Sequence, residues 1–522
     1  MYIIDIYMRQ DNLIIYNGYH PEFFHHDLST SEVKDIKTIT VKSYENQRNR
    51  YFNLTNKLAD RCLVKIQNNS FVITAEPVNK YILEEIVNIY GLDIGSMHFE
   101  HLLSDHPEDL AITILKNSRL MDKLRKWAGK ASDPILNPRT ISEGSIQLAQ
   151  ELGINHSLIM PPSLKRIVKG IYPSMKYIQK HSIKENNSKV KNYLLLKKIE
   201  KNKKDKFAPE GDVAFDLDKI CDIACKLAKK GKKSIIKADL SMSGAGNVVL
   251  DTLKKRHGKS FIHLLREKQK SIVLKLLKDK AIPLSKKTGV VVNEYYHKLL
   301  FNYCYQVYSL PDLMEIKPII LYSSFMYFNP NNSQEGYQTT PKNFFQFLKK
   351  KYNINKNSPN SISYDKTPNL NTSKSYLKDT ALELTKILWK KGYVGISSCD
   401  IGIIYDKGKI FFKLFEFNYG RETGNIYPYL LKERLSNFKI LESPNFCISI
   451  NKLRGPICYR PTNKIIDLLK EKDLYFKNKT GGNILIGHKN YIDDCHISCI
   501  SISPTLAKAN YYFNDLNEVF NN

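Results

Sequence analysis

Apolar positions recur along the chain with two periods, and their order predicts strands alternating with helices. Asn12–Tyr16, Leu63–Ile66 and Phe71–Ala75 are short, mostly apolar runs between polar residues and read as strands. Tyr81 to Tyr90 carries Ile82, Ile86, Val87 and Ile89 at helical spacing. The pattern is helical again from Glu108 to about Lys130. A further helix is predicted from Asn137 to Gly153, with Gly153 as its C-terminal cap. This alternation suggests an α/β layer, which Met160-Pro-Pro-Ser163 and Pro173 then interrupt.

Beyond residue 186 the pattern becomes more regular. Lys189–Lys198 reads as a helix, Phe207–Gly211 as a loop, and Asp216 as the N-cap of a helix over Leu217–Lys230 that stops at Gly231. Strands are predicted at Ser234–Ala238, Val290–Val292, Ile319–Phe328 and Gly402–Tyr405. Lys350 to Ser375, rich in Asn, Ser, Lys and Pro, reads as a long loop, and Tyr376–Lys391 as an amphipathic helix. The turn Asp406-Lys-Gly-Lys409 joins two strands into a hairpin. The remainder mixes strands with a final helix from about Pro504. The predicted class is α/β with α+β, divided at 1–185, 186–435 and 436–522.

Composition sharpens this picture without redirecting it. A chain of 522 residues is long enough for several domains, and 42% hydrophobic with 25% charged residues is ordinary for a globular protein. The formal charge is 80 − 52 = +28, which would attract polyanions. The chain is also heavy in Ile, Asn and Tyr, with only 2 Trp, and these residues rise together with Lys under AT-rich coding. Most of the surplus is therefore read as composition. The basic run Lys198–Lys206 lacks the interleaved aromatics that stack on bases, so nucleic acid is not the expected partner.

No run of about 18 apolar residues is present, so no membrane helix is expected. The first residues lack the basic and apolar regions of a secretory signal. The 9 cysteines include no C-x-x-C pair, and neither Cys221 with Cys225 nor Cys495 with Cys499 has companions at zinc spacing. Reduced thiols and a cytoplasmic location are expected. His98, His101 and His106 do not form H-E-x-x-H and read as a helix surface.

Two segments carry candidate chemistry. Lys233 to Gly246 delivers Lys237 on an apolar strand and then a small, flexible loop, Ser241 to Gly246. Such a loop brings backbone N–H groups to phosphate oxygens while the lysine neutralises them; a buried strand ending in an ordinary turn is the alternative. A Walker A loop is excluded, because Leu253 stands where the glycine before His257-Gly-Lys-Ser260 is required. A G-x-G-x-x-G motif is excluded because Val249 stands at its last position. The second segment is Ser398 to Gly424. Glu416 and Asn418, two apart on a strand, share a face that Asp400 on the neighbouring strand can reach. Three oxygen donors suit Mg²⁺, and Arg421 follows, placed to hold an anion.

Together these segments resemble the ATP-grasp ligases. The matching elements are Lys237, the loop with Ser243, Gly244 and Gly246, then Asp400, a hairpin, and Glu416, Asn418 and Arg421. Asn187-Ser-Lys189 is similar to the family's upstream phosphate lysine. Val290-Val-Val-Asn-Glu-Tyr-Tyr296 looks like the strand and hinge that receive adenine, with Glu294, Tyr295 and Tyr296 beside the base or ribose. The segment before resembles the pre-ATP-grasp domain of peptide ligases related to the pheganomycin peptide ligase. Two departures stand out. The family pattern E-x-N-x-R is here E-x-N-x-x-R, and Asn293 occupies a hinge position where an aliphatic residue or Glu is frequent.

The resemblance implies a pre-ATP-grasp domain, a two-lobed ATP-grasp domain and a small C-terminal α+β domain. It implies ATP and Mg²⁺ as cofactors, with two ions and Mn²⁺ as a substitute, and Arg421 and Lys237 in catalysis. The implied reaction joins a small carboxylate, an amino acid or peptide, to an amine through an acyl phosphate, in a protein expected to form homodimers. A basic nucleic-acid-binding protein and a non-catalytic ATP-binding relative are the alternatives.

Overall fold

The computed structural model describes residues 11–16, 33, 36, 38–46, 49, 59–102, 108–156, 188–201, 207–240, 246–254, 260–296, 299–309, 319–328, 334–339, 382, 395–406, 409–419, 426–441, 446–489 and 495–521; for 299–309, 319–328, 334–339 and some strand ends only the backbone is described. The predicted loop Lys350–Ser375, most of the predicted helix Tyr376–Lys391, His106, Ser243, Gly244 and Arg421 lie outside these residues.

The chain opens with a five-stranded parallel sheet. Its strands are β1 (Asn12–Ile15), β2 (Phe71–Thr74), β3 (His98–His101), β4 (Ile135–Pro138) and β5 (Asn155–His156), in the order β3-β2-β1-β4-β5. The helices α1 (Lys80–Tyr90), α2 (Leu110–Lys116), α3 (Ser118–Lys130) and α4 (Glu143–Leu152) accompany it. Burial on both faces explains why the central strands β1, β2 and β4 are mostly apolar, whereas the edge strand β3 is polar and exposed or half-buried. Leu13, Ile15, Phe71 and Ile73 pack with Leu110, Leu124 and Leu148 on one side. Ile14, Val72 and Ile135 pack with Ile82 and Ile86 on the other.

The second sheet is small and antiparallel. After α5 (Lys189–Glu200) come β6 (Gly211–Ala214), α6 (Leu217–Lys229), β7 (Lys233–Ala238), β8 (Asn247–Leu250), α7 (Arg266–Asp279) and β9 (Val290–Tyr295), with strand order β6-β9-β7-β8. Asp216 caps α6 through Lys219 N at 2.7 Å, as predicted. Ile236, Val290 and Val292 form one core with Ile220, Leu227 and Val273 of the two helices, and the other face of the sheet is left for the site.

The third sheet has eight antiparallel strands. It contains β10 (Leu299–Ser309), β11 (Ile319–Phe328), β12 (Gln334–Thr339), β13 (Gly395–Asp406) and β14 (Lys409–Tyr419). After α8 (Ile426–Asn437) it adds β15 (Phe446–Leu453) and, past α9 (Thr462–Glu471), β16 (Gly482–Lys489) and β17 (His496–Ser503). The order is β14-β13-β10-β11-β12-β15-β17-β16, and α10 (Leu506–Asn521) closes the chain. The last three strands thus continue the sheet begun by residues before 435.

Several elements differ from the sequence expectation for identifiable reasons. Leu63–Ile66 is not a strand; a 3-10 helix covers Ala59–Lys65 and buries all of its side chains, which a short apolar run does not distinguish from strand. The helix expected from Asn137 begins at Glu143, because Ile135–Pro138 pairs with β1 and Ser142 forms a capping box with Ser145. Gly153 does terminate it, in the left-handed conformation. The helix from Glu108 to Lys130 is two helices, divided where Asn117 ends one and caps the next. His98 and His101 lie on strand β3, not on a helix. Among the described residues eight cysteines are free, no helix is long and apolar enough to cross a membrane, and no three His, Cys, Asp or Glu side chains converge as a metal cluster.

One buried charge fastens the third sheet's helix to the first layer. Arg434 of α8 is fully buried and donates to the carbonyls of Lys65 and Ile66, with its guanidinium 5.2 Å from the centre of the Tyr90 ring. Arg434→Ala orphans two carbonyls and opens a cavity, so we expect a loss of about 3 kcal/mol. Chemical denaturation monitored by tryptophan fluorescence measures this, and an unchanged midpoint would contradict the role.

Candidate active site

Lys237 ends an apolar strand whose alternate residues face opposite ways. Register places Lys237 opposite Val291 on β9 and opposite Asn247 on β8, so its side chain leaves the face not covered by α6 and α7. β7 and β8 are antiparallel partners, and the Ala238 N–H donates to the Gly246 carbonyl at 2.8 Å. The predicted phosphate loop is therefore the hairpin connection between them, with Gly246 at its base.

Lys189 arrives from a different direction. It is the first residue of α5, which Ser188 caps by accepting from Lys191 N at 3.0 Å. Asp239, just past β7, fixes this helix start. Its Oδ1 accepts from Ser188 Oγ at 2.6 Å and from Val190 N at 2.9 Å, while its carbonyl accepts from Lys189 N at 3.0 Å. The strand carrying one lysine thus positions the helix carrying the other. Sequence reading passed over Asp239; its signal is an acid directly after the strand's lysine and alanine.

The acids come from the edge hairpin of the large sheet. Asp400, in the middle of β13, pairs directly with Glu416, and Asn418 pairs with Ser398. A bulge between Asp400 and Ile401 leaves Phe415 as an extra residue on β14. Asp400, Glu416 and Asn418 consequently share one face. Asn418 Nδ2 donates to Asp400 Oδ2 at 3.2 Å and to Ser398 Oγ at 3.4 Å. The Phe415 ring lies over Gly402, where an added Cβ would come within 2.1 Å of the ring. Any side chain at 402 would displace it.

The two groups meet. Lys189 Nζ is 3.5 Å from Glu416 Oε1, and Lys237 Nζ is 5.3 Å from the centre of the Phe415 ring. Asn192 Nδ2 of α5 donates to the Phe417 carbonyl at 3.3 Å, and Leu414 N donates to the Phe207 carbonyl at 2.8 Å. Five of the expected residues, Lys189, Lys237, Asp400, Glu416 and Asn418, are therefore brought together between two sheets. The three oxygen-bearing side chains are hard donors that fit a magnesium ion completed by phosphate oxygens and water.

The hinge residues are placed differently from one another. Tyr296 lies flat against Phe415, with centroids 5.9 Å apart and planes at 22°. Glu294 pairs with Lys232 at 2.8 Å, and Lys232 also meets Glu210 at 3.0 Å. Burial raises the Tyr296 hydroxyl pKa, and the neighbouring Glu294 carboxylate adds to the rise. Tyr295 ends β9 opposite Lys233. Phe415 was not singled out from the sequence, although it directly precedes Glu416.

No protein-family model matches the chain, and no curated protein matches it. Three solved structures similar to it are as follows. The ADP complex of PurK, an N5-carboxyaminoimidazole ribonucleotide synthetase, is 9% identical with a TM-score of 0.46, over 98% of this chain and 97% of that chain. The N5-carboxyaminoimidazole synthase of Aspergillus clavatus, in complex with ADP and 5-aminoimidazole ribonucleotide, is 10% identical with a TM-score of 0.44, over 99% of each chain. The biotin carboxylase domain of the Hydrogenobacter thermophilus 2-oxoglutarate carboxylase, solved as a dimer with MgADP, ADP and bicarbonate, is 12% identical with a TM-score of 0.46, over 98% of this chain and 90% of that chain. At such low likeness the functional reading rests on the side chains themselves.

Burial makes a charged Lys237 costly to keep. Burial pushes its ammonium down from the ordinary 10.5 to about 8; Glu416 and Asp400 pull it up, and Lys189 pushes it further down. The unfolded chain therefore holds this proton more tightly. The penalty is complete below pH 8 and is relieved as the pH rises from about 8 to 10.5. In the ligand-free protein, Lys237→Met should raise the melting temperature at pH 7, and its advantage over wild type should shrink across that window. A variant that melts lower at pH 7, or a pH-independent gap, would refute this account.

Proposed function

We propose that this chain is an ATP-grasp ligase that joins a carboxylate to an amine at the expense of ATP. The observation that carries this reading is the meeting of Lys189 and Lys237 with Asp400, Glu416 and Asn418 across two sheets. Two buried or half-buried ammonium groups facing a carboxylate pair and an amide suit a nucleotide triphosphate with its divalent ion. A binder of general polyanions has no use for acids at the centre of its site.

In this reading Lys189 and Lys237 neutralise phosphate oxygens. Asp400, Glu416 and Asn418 would hold Mg²⁺, which would supply positive charge to neutralise the phosphates. A substrate carboxylate attacks the γ-phosphorus to give an acyl phosphate and ADP; an amine then displaces phosphate and forms the amide. The acid and amine are small, an amino acid or peptide in the first instance. Arg421 steadies the carboxylate or the tetrahedral oxyanion, the role that the resemblance implies for it.

Purified protein incubated with MgATP and pooled amino acids should release phosphate in step with new amide masses. Lys237→Met and Glu416→Gln should each lower ATP turnover by about 100-fold or more while retaining a cooperative melt. Turnover at the wild-type rate in either variant would sink the assignment. Binding of nucleic acid at moderate salt with no thermal response to MgATP would favour a nucleic-acid-binding protein instead.

A further inference from the structure

The first turn of α5 is satisfied from within the chain. Asn192 N donates to the Ser188 carbonyl at 2.9 Å, the first regular bond of the helix. The amides of Lys189, Val190 and Lys191 come too early to find such a carbonyl. Lys189 N donates instead to the Asp239 carbonyl at 3.0 Å. Val190 N donates to Asp239 Oδ1 at 2.9 Å, and Lys191 N to Ser188 Oγ at 3.0 Å. The Ser188 hydroxyl gives its proton to Asp239 Oδ1 at 2.6 Å, which turns its lone pairs toward Lys191 N. One aspartate therefore supports all of these amides, two directly and one through Ser188.

A helix start can receive a phosphate on its N–H groups. Here those groups are already engaged, so α5 offers an anion the Lys189 side chain and not its backbone. Asp239 also stands on a firm base. It directly follows β7, an interior strand paired with β9 on one side and β8 on the other. The same strand carries Lys237 two residues earlier. The backbone of Lys189 is thereby tied to that of Lys237, while Lys189 Nζ reaches to 3.5 Å from Glu416 Oε1 on the opposite wall.

Resting on the nucleotide reading above, we propose that Asp239 is a positioning residue that acts through Lys189. With Ser188 as its relay, it aims one ammonium group at the phosphates and keeps the helix amides out of the contact. The role needs an acceptor at Oδ1 and not a charge, so an amide oxygen in the same place serves it.

The test is a double-mutant cycle on the full chain, read by calorimetry with the magnesium complex of a non-hydrolysable ATP analogue. Asp239→Ala should weaken binding by about tenfold, and Asp239→Asn should stay within about threefold of wild type. In a Lys189→Met background, Asp239→Ala should cost less than about twofold, because the group it aims is gone. A general structural role would not fall silent in this way, so an equal loss in both backgrounds would overturn the proposal. Asp239→Asn as weak as Asp239→Ala would also overturn it, by showing that the charge is what matters. Tighter binding by Asp239→Ala in either background would do the same, because the freed amides would then be holding the phosphates. Should Asp239→Ala fail to fold, Ser188→Ala removes only the relay and carries the same cycle, with a loss of about threefold that vanishes beside Lys189→Met. Any of these reversals leaves the ligase reading standing. If wild type does not bind the nucleotide, that reading fails and this proposal fails with it.

Discussion

The arrangement of the site depends on bringing two lysines and two carboxylates into one partly dry volume. Lys189 and Glu416 meet at 3.5 Å with 8% and 24% of their side chains exposed, so their attraction is less screened than on an open surface. Each comes from a different sheet system, and the pair therefore acts as a clasp between them. Lys237 enters the same field, and its proton is loosely held because burial, with Lys189 beside it, outweighs the pull of Glu416 and Asp400. A site built this way is stable enough to form but is left with a cation that an incoming anion would satisfy.

Geometry upstream of the clasp is set by a supporting carboxylate and by backbone features. Asp239 takes three hydrogen bonds and fixes the start of α5 relative to β7. The bulge at Phe415 turns Glu416 toward the face of Asp400, and Gly402 leaves room for the displaced ring. These devices hold the side chains within reach of one another before any ligand arrives.

Much of this was visible in the sequence because it follows from local rules. The strand lysine, the i and i+2 spacing of Glu416 and Asn418, the cap at Asp216 and the stop at Gly153 each depend on a few neighbouring residues. What escaped depends on partners far along the chain. Leu63 to Ile66 looks extended until the layers that bury all its sides are known. Pro138 could not be placed in a strand without β1 beside it. Phe415 reads as one more apolar residue, since a bulge leaves no mark except in its pairing. The addition of β15, β16 and β17 to the large sheet is likewise a matter of registers between distant segments.

The shared core that Arg434 helps to join also bears on the order in which the protein assembles. That core runs from Ile14 and Val72 through Ile426 and Leu431 to Leu516 and Phe520. The core of the four-stranded sheet uses only residues between Ala214 and Val292. During synthesis the second can close as soon as its own segment has emerged, whereas the first waits for Leu516 and Phe520. The small sheet would form early from short-range contacts, and the layer around Ile14 and Val72 would reach its final packing later.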